Sequence, residues 1–325
     1  MDMISFGTVF LELVFGQLDR LPGRGEEIFT DEFAISCGGA VTSATAAAAA
    51  GLRAGLCARL GDDLGSQVVT EHCASAGVDV SSSARVTGAT AGITVVLNFD
   101  GDRGFVTHMP GAHEHYAEVS RWQAVLADQR PAWCYLHAGR AVPPFLRQAR
   151  EQGTKIMLDI SLGDERDREA VIECVRLADV FVPNADELLA LTGADALEKA
   201  VAAAGQWGTA LVVTEGAAGA LVWQPGSGVT RVPDRVAQVQ VRDLTGAGDN
   251  FAGAMIGALA GGAALPEAAA AGNAAGSRSV GWLGAVGEVG TAGGSAGWPL
   301  RPMAFSQAAA MLETGGRSGP PDQER

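Results

Sequence analysis

The chain has 325 residues, of which 47% are hydrophobic and 18% are charged, and this composition excludes a disordered chain, a collagen and a coiled coil. It carries 23 basic and 37 acidic residues, and the formal net charge of −14 makes nucleic acid and anionic membranes poor partners. Lys155 and Lys199 are the only lysines, and neither follows a glycine-rich loop. Any bound phosphate must therefore be held by backbone amides, arginine or a metal ion.

The cysteines and the N-terminal sequence predict a cytoplasmic protein. The first segment, MDMISFG, lacks the basic and apolar regions of a signal peptide, and no apolar run is long enough to span a bilayer. The five cysteines form no C-x-x-C pair, which disfavours a disulfide framework and a structural zinc site. They are scattered along the chain, at Cys37, Cys57, Cys73, Cys134 and Cys174.

The first third of the chain predicts one buried strand, one helix and a small sheet. Residues 4–15 are apolar and rich in β-branched and aromatic side chains, as in a buried strand. Residues 26–36 and 91–109 loosely alternate polar and apolar side chains, which predicts a small sheet with one solvated face. Residues 42–50 are nearly all alanine and are followed by Gly51, as in a closely packed helix with a C-terminal glycine.

Short apolar strands alternate with helical segments from about residue 117 onward, and two helices rich in small residues follow. This alternation predicts an α/β protein with a parallel sheet covered on both faces. The predicted strands are 133–137, 155–160, 179–182, 210–214 and 220–223, and the helical segments are 166–177, 185–191, 196–207, 245–262 and 266–282.

The segment 243–249, D-L-T-G-A-G-D, runs directly into a predicted helix. Its small residues allow a ligand to approach the backbone closely, and the first amides of the helix form a potential anion site. Asp249 has two interpretations. It is either an acidic residue that stabilises the helix N-terminus, or a general base beside an anion site, as phosphoryl transfer to an alcohol requires.

Six segments resemble motifs of the PfkB, or ribokinase-like, family of carbohydrate kinases, in the family's order over roughly residues 4–290. Segment 243–249 resembles the D-T-T-G-A-G-D signature, and 37–39 resembles the Gly-Gly motif of the sugar site. Segment 59–65 resembles G-D-D-x-x-G, and 178–187 contains N-x-x-E. The last two resemble parts of an ATP site, with 213–219 at the phosphates and 273–285 at the adenine.

The resemblance implies a ribokinase-like three-layer α/β/α sandwich with a mostly parallel central sheet. It also implies a small β-sheet lid, built from residues 26–36 and 91–109, which closes over the sugar and excludes water. The expected domain spans residues 1–314, and residues 315–325 form a disordered tail because they have nothing apolar to bury. Since relatives often dimerise through the lid, a homodimer is expected.

The family's activity is ATP- and Mg²⁺-dependent phosphorylation of a sugar hydroxyl. By resemblance, Asp249 takes the proton of that hydroxyl, and the amides of Gly246, Ala247 and Gly248 hold the developing charge. The resemblance also places the ATP site at Asn184, Thr214, Gly216, Gly219 and Asn273.

Two metal sites are implied by the same resemblance. Asn184 and Glu187 organise Mg²⁺ through its waters, although the same pair also fits a helix cap with a capping-box glutamate. A monovalent cation, K⁺ in the first instance, is implied beside the anion site. Its expected residues are Asp243, Thr245, Ser279 and Gly284.

The departures from the family pattern lie at the sugar end. Glu12 stands where the family usually has an aspartate, and its alternative interpretation is a strand-end glutamate that faces solvent. The Gly38-Gly39 motif lacks the usual asparagine, whose place falls to Thr42 or Ser43. Leu244 replaces a hydroxyl residue of the signature. Substrate recognition is therefore expected to differ from that of typical members, and the sequence does not indicate which sugar is the substrate.

Three other functions remain possible from the sequence. A catalytically weak sugar-binding sensor or scaffold would explain the altered sugar end, and a nucleoside kinase would share the fold. A nucleotide-dependent oxidoreductase is disfavoured because 246–251 does not fit the dinucleotide-binding fingerprint. His113-Glu114-His115 suits a solvated loop better than a metal site, since no third ligand is near in sequence.

Overall fold

The computed structural model describes residues 1–99, 101–109, 118–161, 167–235 and 239–286. All of them belong to one compact unit. The domain boundary expected at residue 314, the tail 315–325 and the segment His113–His115 lie outside the described residues. Within the described part, no helix combines the length and the apolar character that a membrane span needs.

The strands of the described residues form one large and two small sheets. In chain order they are β1 (Met3–Phe6), β2 (Val9–Leu18), β3 (Glu32–Gly39), β4 (Ala54–Cys57), β5 (Arg59–Leu60), β6 (Ala84–Arg85), β7 (Gly92–Phe99), β8 (Asp102–His108), β9 (Trp133–His137), β10 (Lys155–Asp159), β11 (Val180–Phe181), β12 (Ala210–Thr214), β13 (Ala220–Gln224) and β14 (Gly228–Val232).

The helices of the described residues cover the large sheet and connect its strands. They are α1 (Ala40–Ala49), α2 (Leu64–Ala76), α3 (Val119–Gln129), α4 (Pro143–Gln152), α5 (Arg168–Leu177), α6 (Ala185–Thr192), α7 (Leu197–Gly205), α8 (Ala247–Ala260) and α9 (Leu265–Ser279).

The large sheet has the order β14-β13-β12-β11-β10-β9-β1-β4. Its strands from β4 to β12 pair in parallel, while β13 and β14 pair antiparallel at one edge. One face is covered by α3 to α7 and the other by α1, α8 and α9, and each interface is a buried apolar cluster. The predicted three-layer α/β/α arrangement is therefore confirmed.

Helices α1 and α8 pack unusually closely, because both present small residues to each other. A Cβ added at Gly253 would lie 2.4 Å from the carbonyl oxygen of Ser43, and one added at Gly257 would lie 2.5 Å from the Cβ of Ala50. The alanine-rich sequence of α1 thus serves helix packing, and it fixes the position of α8 and of the residues at its N-terminus.

The small sheet, hereafter the lid, consists of β2, β3, β7 and β8 in the order β3-β2-β7-β8. The prediction of a single strand over 4–15 is wrong, because the chain leaves the large sheet after Phe6 and re-enters as lid strand β2 at Val9. Both strands are apolar, so their pattern alone did not separate them. The expected first strand of the lid also begins later, at Glu32, and continues to Gly39.

Candidate active site

The candidate site lies at the carboxyl ends of the parallel strands, where open α/β sheets bind ligands. A cavity of about 730 Å³ opens there beside the N-terminus of α8. Its lining is formed by Thr214, Gly216, Ala217, Gly219, Asp234, Val239, Gln240, Val241, Leu244, Ala247, Gly248, Phe251, Asn273, Gly276, Ser277 and Val280. Four of the five residues expected at the ATP site thus line one cavity.

The N-terminus of α8 carries the segment that the sequence singled out. Gly246 is the N-cap residue with φ = 72°, a left-handed conformation that favours glycine, and an added Cβ would lie 2.5 Å from the Cβ of Ala285. Gly248 has open space at its Cβ position and lines the cavity. The amides of Gly248 and Asp249 belong to the first turn, whose N–H groups have no partner within a helix, while the Ala247 amide donates to the carbonyl oxygen of Leu244 at 3.3 Å.

Asp249 is half-buried in the first turn of α8, and its carboxyl group has a buried hydrogen-bond partner. The hydroxyl of Tyr135 lies 3.0 Å from its Oδ1. Burial raises the pKa of Asp249, while the neighbouring His137 and the Tyr135 hydrogen bond oppose that rise. A carboxylate with a raised pKa is a stronger base than an exposed one, which suits proton abstraction.

Glu12 is buried in the middle of lid strand β2, so the interpretation as a solvent-facing glutamate is wrong. Its Oε2 accepts a hydrogen bond from the amide of Ala285 at 3.0 Å. Burial raises its pKa to about 7, although the Ala285 hydrogen bond lowers it, and the charges of Asp243 and Asp249 add to the rise. The carboxyl groups of Glu12 and Asp249 are therefore close enough for the charge of Asp249 to raise the pKa of Glu12.

The Gly38-Gly39 motif has a steric explanation in this fold. A Cβ at Gly38 would lie 2.0 Å from Oε1 of Glu12, so glycine leaves the room that the longer acidic side chain occupies. Gly39 has φ = 75° and is the N-cap residue of α1. An added Cβ there would lie 2.4 Å from the carbonyl oxygen of Thr8. The motif thus joins the lid strand β3 to α1 beside Glu12.

Thr42 and Ser43, the two candidates for the missing asparagine, differ in their surroundings. Both are fully buried in α1. The Ser43 hydroxyl lies 2.9 Å from that of Ser5 and 3.3 Å from the carbonyl oxygen of Ala40. The Thr42 hydroxyl has no hydrogen-bond partner among the described residues. Since a buried hydroxyl without a partner is costly, a ligand group would satisfy Thr42 rather than Ser43.

The inner face of the lid continues the polar surroundings of Glu12. In the lid, Glu12 pairs with Ser36 on β3 and with Thr94 on β7. Thr94 in turn pairs with Thr107 on β8, and their hydroxyls lie 3.1 Å apart. Hydroxyls around one buried carboxyl group are suited to the hydroxyls of a sugar. The sequence prediction missed these three residues because their strand partners were unknown.

The residues expected to bind a monovalent cation are organised by Asp243. Its Oδ1 accepts hydrogen bonds from the amide and the hydroxyl of Thr245, at 2.9 and 2.6 Å, and its Oδ2 accepts one from the amide of Gly284 at 2.7 Å. The Ser279 hydroxyl instead donates to the carbonyl oxygen of Gly276. Three of about four acceptor positions of the Asp243 carboxylate are thus occupied, so Asp243 holds Thr245 and Gly284 in place, and the monovalent-cation site stays a prediction.

The glycines at the other end of the cavity have definite backbone roles. Gly219 has φ = 98°, and an added Cβ would lie 2.2 Å from the carbonyl oxygen of Val232. Asn273 donates from Nδ2 to the same carbonyl at 2.9 Å, which holds α9 against β14. Gly216 begins a 3₁₀ turn with φ = 55° and open space at its Cβ position.

Asn184 and Glu187 form the capping box that was the alternative interpretation of this pair. Asn184 Oδ1 accepts from the Glu187 amide at 2.9 Å, and Glu187 Oε2 accepts from the Asn184 amide at 2.8 Å. Asn184 is also bridged to Thr214, so the pair lies beside the cavity. Capping places both side chains at the edge of the cavity and does not exclude contact with hydrated Mg²⁺.

Three residues near Asp249 had no counterpart among the sequence predictions: Tyr135, His137 and Asp159. Tyr135 lies in the middle of β9, and His137 and Asp159 are the last residues of β9 and β10. A tyrosine in the middle of an apolar strand and an aspartate at a strand end were the available signals, because buried polar side chains need partners. The sequence alone did not identify Asp249 as that partner, since 114 residues separate it from Tyr135.

The comparison with protein families covers most of the chain. Residues 3–289 match the family described as pfkB family carbohydrate kinase. Fructoselysine 6-kinase of Escherichia coli (strain K12) is 30% identical over 257 residues, which are 78% of this chain and 92% of that protein. Cytidine kinase of Thermococcus kodakarensis is 27% identical over 278 residues, which are 82% of this chain and 91% of that protein.

Solved structures share the fold. The structure of Arabidopsis thaliana ribokinase complexed with ribose and ATP superimposes with a TM-score of 0.71 at 22% identity, covering 88% of this chain and 94% of that one. The predicted ribokinase-like fold is therefore confirmed for this chain.

Proposed function

The chain belongs to the pfkB family of carbohydrate kinases, and we propose that it transfers the γ-phosphate of ATP to a hydroxyl of a small sugar or sugar-like substrate, with Asp249 as general base. One observation carries the proposal. The Asp249 carboxyl lies in the first turn of α8, next to Gly248, which lines a cavity large enough for a nucleotide. A base and a phosphate-binding helix N-terminus thus meet at one point.

In the proposed reaction, ATP lies in the cavity with its phosphates toward the N-terminus of α8. The Asp249 carboxylate takes the proton of the substrate hydroxyl as that oxygen bonds to the γ-phosphorus, and the bond from the phosphorus to the leaving ADP oxygen breaks. The amides at Gly246, Ala247 and Gly248 stabilise the charge on the transferred group. They take the place of a phosphate-binding lysine, which no glycine-rich loop of this chain provides.

Mg²⁺ would neutralise charge on the ATP phosphates when bound. Asn184 and Glu187 would hold it through its waters, because they are oxygen-bearing side chains at the edge of the cavity. Asp243 supports the reaction by holding Thr245 and Gly284 in place beside the N-terminus of α8.

The sugar is proposed to bind between the lid and α1. Glu12 and Thr42 accept and donate hydrogen bonds to its hydroxyls, while Gly38 leaves the room that the Glu12 carboxyl group needs beside the sugar. This arrangement is supported by the buried Glu12 carboxyl and by the unsatisfied Thr42 hydroxyl. The closed lid would exclude water from the transferred phosphoryl group.

A second candidate is phosphorylation of a nucleoside, which the likeness to cytidine kinase favours. A nucleoside also presents ribose hydroxyls, so the same catalytic groups would serve. The third possibility, a sugar-binding sensor, would retain binding without turnover.

A substrate panel tests these functions together. The purified protein is incubated with ATP, Mg²⁺ and sugars, polyols, sugar acids, fructoselysine or nucleosides, and ADP release is measured. We expect turnover with a sugar or sugar-like alcohol and little with cytidine. Faster turnover of a nucleoside than of any sugar would support the nucleoside kinase. A sugar that binds by calorimetry but causes no ADP release would support the sensor.

Replacement of Asp249 tests the general base. Asp249→Asn keeps the shape of the side chain but removes its basicity, and we expect kcat to fall by about 10²- to 10⁴-fold. The matched control is Asp128→Asn, which changes an exposed aspartate on α3 and should leave kcat unchanged. Near-normal turnover by Asp249→Asn would show that Asp249 is not the base.

A further inference from the structure

The hydroxyl of Tyr135 lies between two carboxyl groups. It is 3.0 Å from Oδ1 of Asp249 and 2.8 Å from Oδ2 of Asp159. Tyr135 is only 1% exposed and Asp159 only 8% exposed. A hydroxyl carries one proton, so it donates to one carboxylate at a time. The chain Asp249–Tyr135–Asp159 therefore contains one proton for two acceptors.

The sheet register explains why these three side chains meet. On the parallel strands β9 and β10, Tyr135 lies opposite Met157, and Asp159 lies opposite His137, two residues nearer the carboxyl end. Tyr135 and Met157 belong to the sheet face covered by α8. The tyrosine side chain leans along its strand and brings its hydroxyl to the strand ends, where α8 begins. The amide of Ile160 donates to Oδ1 of Asp159 at 2.8 Å and orients that carboxyl.

We propose that Tyr135 is a positioning residue that shares its hydroxyl proton between Asp249 and Asp159 during the catalytic cycle. The inference rests on the proposed function. While Asp249 is ionised, Tyr135 donates to its Oδ1, which holds the carboxylate and directs Oδ2 to the substrate hydroxyl.

Proton transfer then reverses the hydrogen bond. The substrate proton moves to Oδ2 of Asp249, and the neutral carboxyl is a weaker acceptor than the ionised Asp159. The Tyr135 hydroxyl rotates, so its hydrogen bond to Asp249 breaks and it donates its proton in a hydrogen bond to Asp159 instead. No proton leaves Tyr135. Asp249 returns its proton to water after the product leaves, and the hydroxyl rotates back.

Other ionisable groups around Asp249 set the background for this exchange. His137 on β9 lies close enough for its charge to lower the pKa of Asp249. Glu12 on β2 interacts with Asp249 and with Asp243, which precedes α8. Asp159 adds a further negative charge behind Tyr135. Tyr135 is thus the hydrogen-bond donor that favours ionised Asp249, and Asp159 is the acceptor that competes for its proton.

The proposal predicts shifts of opposite sign in two conservative variants. Tyr135→Phe keeps the ring but removes the donor, so the pKa on the acidic side of the kcat/KM profile should rise by about one unit. Asp159→Asn removes the competing charge, and its amide can donate to the tyrosine oxygen, so the same pKa should fall by about one unit. When Asp159→Asn is added to Tyr135→Phe, the pKa shift that Asp159→Asn causes should be less than half of the shift that it causes alone. The KM for ATP should stay within about twofold in each.

A titration without turnover separates this proposal from the proposed function. The protein is labelled with ¹³C at the aspartate carboxyl carbons, and the Asp249 signal is assigned as the one lost in Asp249→Asn. We expect its midpoint to rise in Tyr135→Phe and to fall in Asp159→Asn. Asp128→Asn is the control and should not move it.

The outcomes are distinct. Opposite shifts in the carboxyl titration, with no kinase activity on any substrate, would retain the proton sharing and refute the proposed function. Kinase activity with midpoints that stay fixed, or that move in the same direction in both variants, would refute the proton sharing. If circular dichroism shows that Tyr135→Phe is unfolded, the titration of Asp159→Asn alone decides. An Asp249 midpoint that is unchanged or raised in Asp159→Asn then overturns the proposal.

Discussion

Glu12 places a carboxyl group in the interior of the lid, where water cannot stabilise its charge. Its pKa of about 7 results mainly from this burial, and the Ala285 amide compensates only partly. Near neutral pH the residue therefore exists in both protonation states. A protonated Glu12 can donate to a sugar oxygen and an ionised one can only accept, so sugar affinity should depend on pH in this range.

Glu12 also makes the stability of the protein depend on pH. The unfolded chain releases this proton near the ordinary glutamate pKa of 4.5 and the folded chain near a pKa of 7, so the folded state holds more protons between these values. Stability attributable to Glu12 is complete below about 4.5 and falls as the pH rises toward 7. Glu12→Gln removes this titration. From pH 5 to pH 8 the unfolding free energy of wild type should therefore fall relative to that of the variant, by roughly 2 to 3 kcal/mol.

Urea unfolding at both pH values measures this difference. Glu12→Asp is the matched variant, because it retains a carboxyl and should retain much of the pH dependence. If wild type and Glu12→Gln differ by the same free energy at pH 5 and pH 8, the folded-state pKa of Glu12 is not raised.

Single residues show how far the sequence predicts the site. Asp249, Gly246 and Gly248 were predicted because their signature is local, with seven consecutive residues at one helix N-terminus. Glu12 was identified by position, but its burial was not, because it depends on strand pairing within the lid. Tyr135 and Asp159 act through contacts with distant parts of the chain, which local spacing does not reveal.

At the scale of elements, the N-terminus of α8 is joined to the lid through residues 284–286. The Asn250 side chain donates to the carbonyl oxygens of Gly246 and Ala285, at 2.9 and 2.8 Å, and the Ala285 amide donates to Glu12. The proposed anion site and the proposed sugar site therefore share one segment of backbone. A change at the α8 N-cap should reach Glu12 through Ala285.

Gly246→Ala tests this connection. The new Cβ would meet Ala285 at 2.5 Å and would sit at φ = 72°, so we expect a loss of about 3 kcal/mol in stability and at least about a tenfold loss in kcat. Gly262→Ala, just beyond the other end of α8, has φ = 89° but nothing within 4 Å. It should cost only about 1 kcal/mol and leave kcat unchanged. Equal effects of the two variants on kcat would show that the contact with Ala285 is unimportant.

The elements were predicted unevenly, for a physical reason. Strands β9, β10, β12 and β13 were predicted to within one residue, because glycines and polar helices bound each short apolar run. Strands β1 and β2 were merged into 4–15, because both are buried and their connection at Gly7 and Thr8 is only two residues long. As a result, the sequence assigned β2 to the wrong sheet.

At the scale of the whole molecule, the lid has two faces of opposite character. Its inner face carries Glu12 and the hydroxyls near it. Its outer face has apolar side chains that pair across all four strands and remain exposed or half-buried. They are Leu13, Phe15, Phe33, Ile35, Ile93, Val95, Leu97 and Val106. A contiguous exposed apolar face of this kind marks an interaction surface, and we propose that a second copy of the chain covers it, as the family resemblance leads us to expect.

Val106→Glu tests whether a second copy covers this face. Val106 is 65% exposed on β8, and a charge there would be buried without a partner in a lid-to-lid dimer, so we expect a monomer by sedimentation. Val229→Glu is the control, because Val229 is 54% exposed on β14, away from the lid, and should leave the dimer intact. Because a dimer interface would stabilise the position of the lid, Val106→Glu should also raise the KM for the sugar more than that for ATP. A wild-type protein that sediments as a monomer would refute the homodimer.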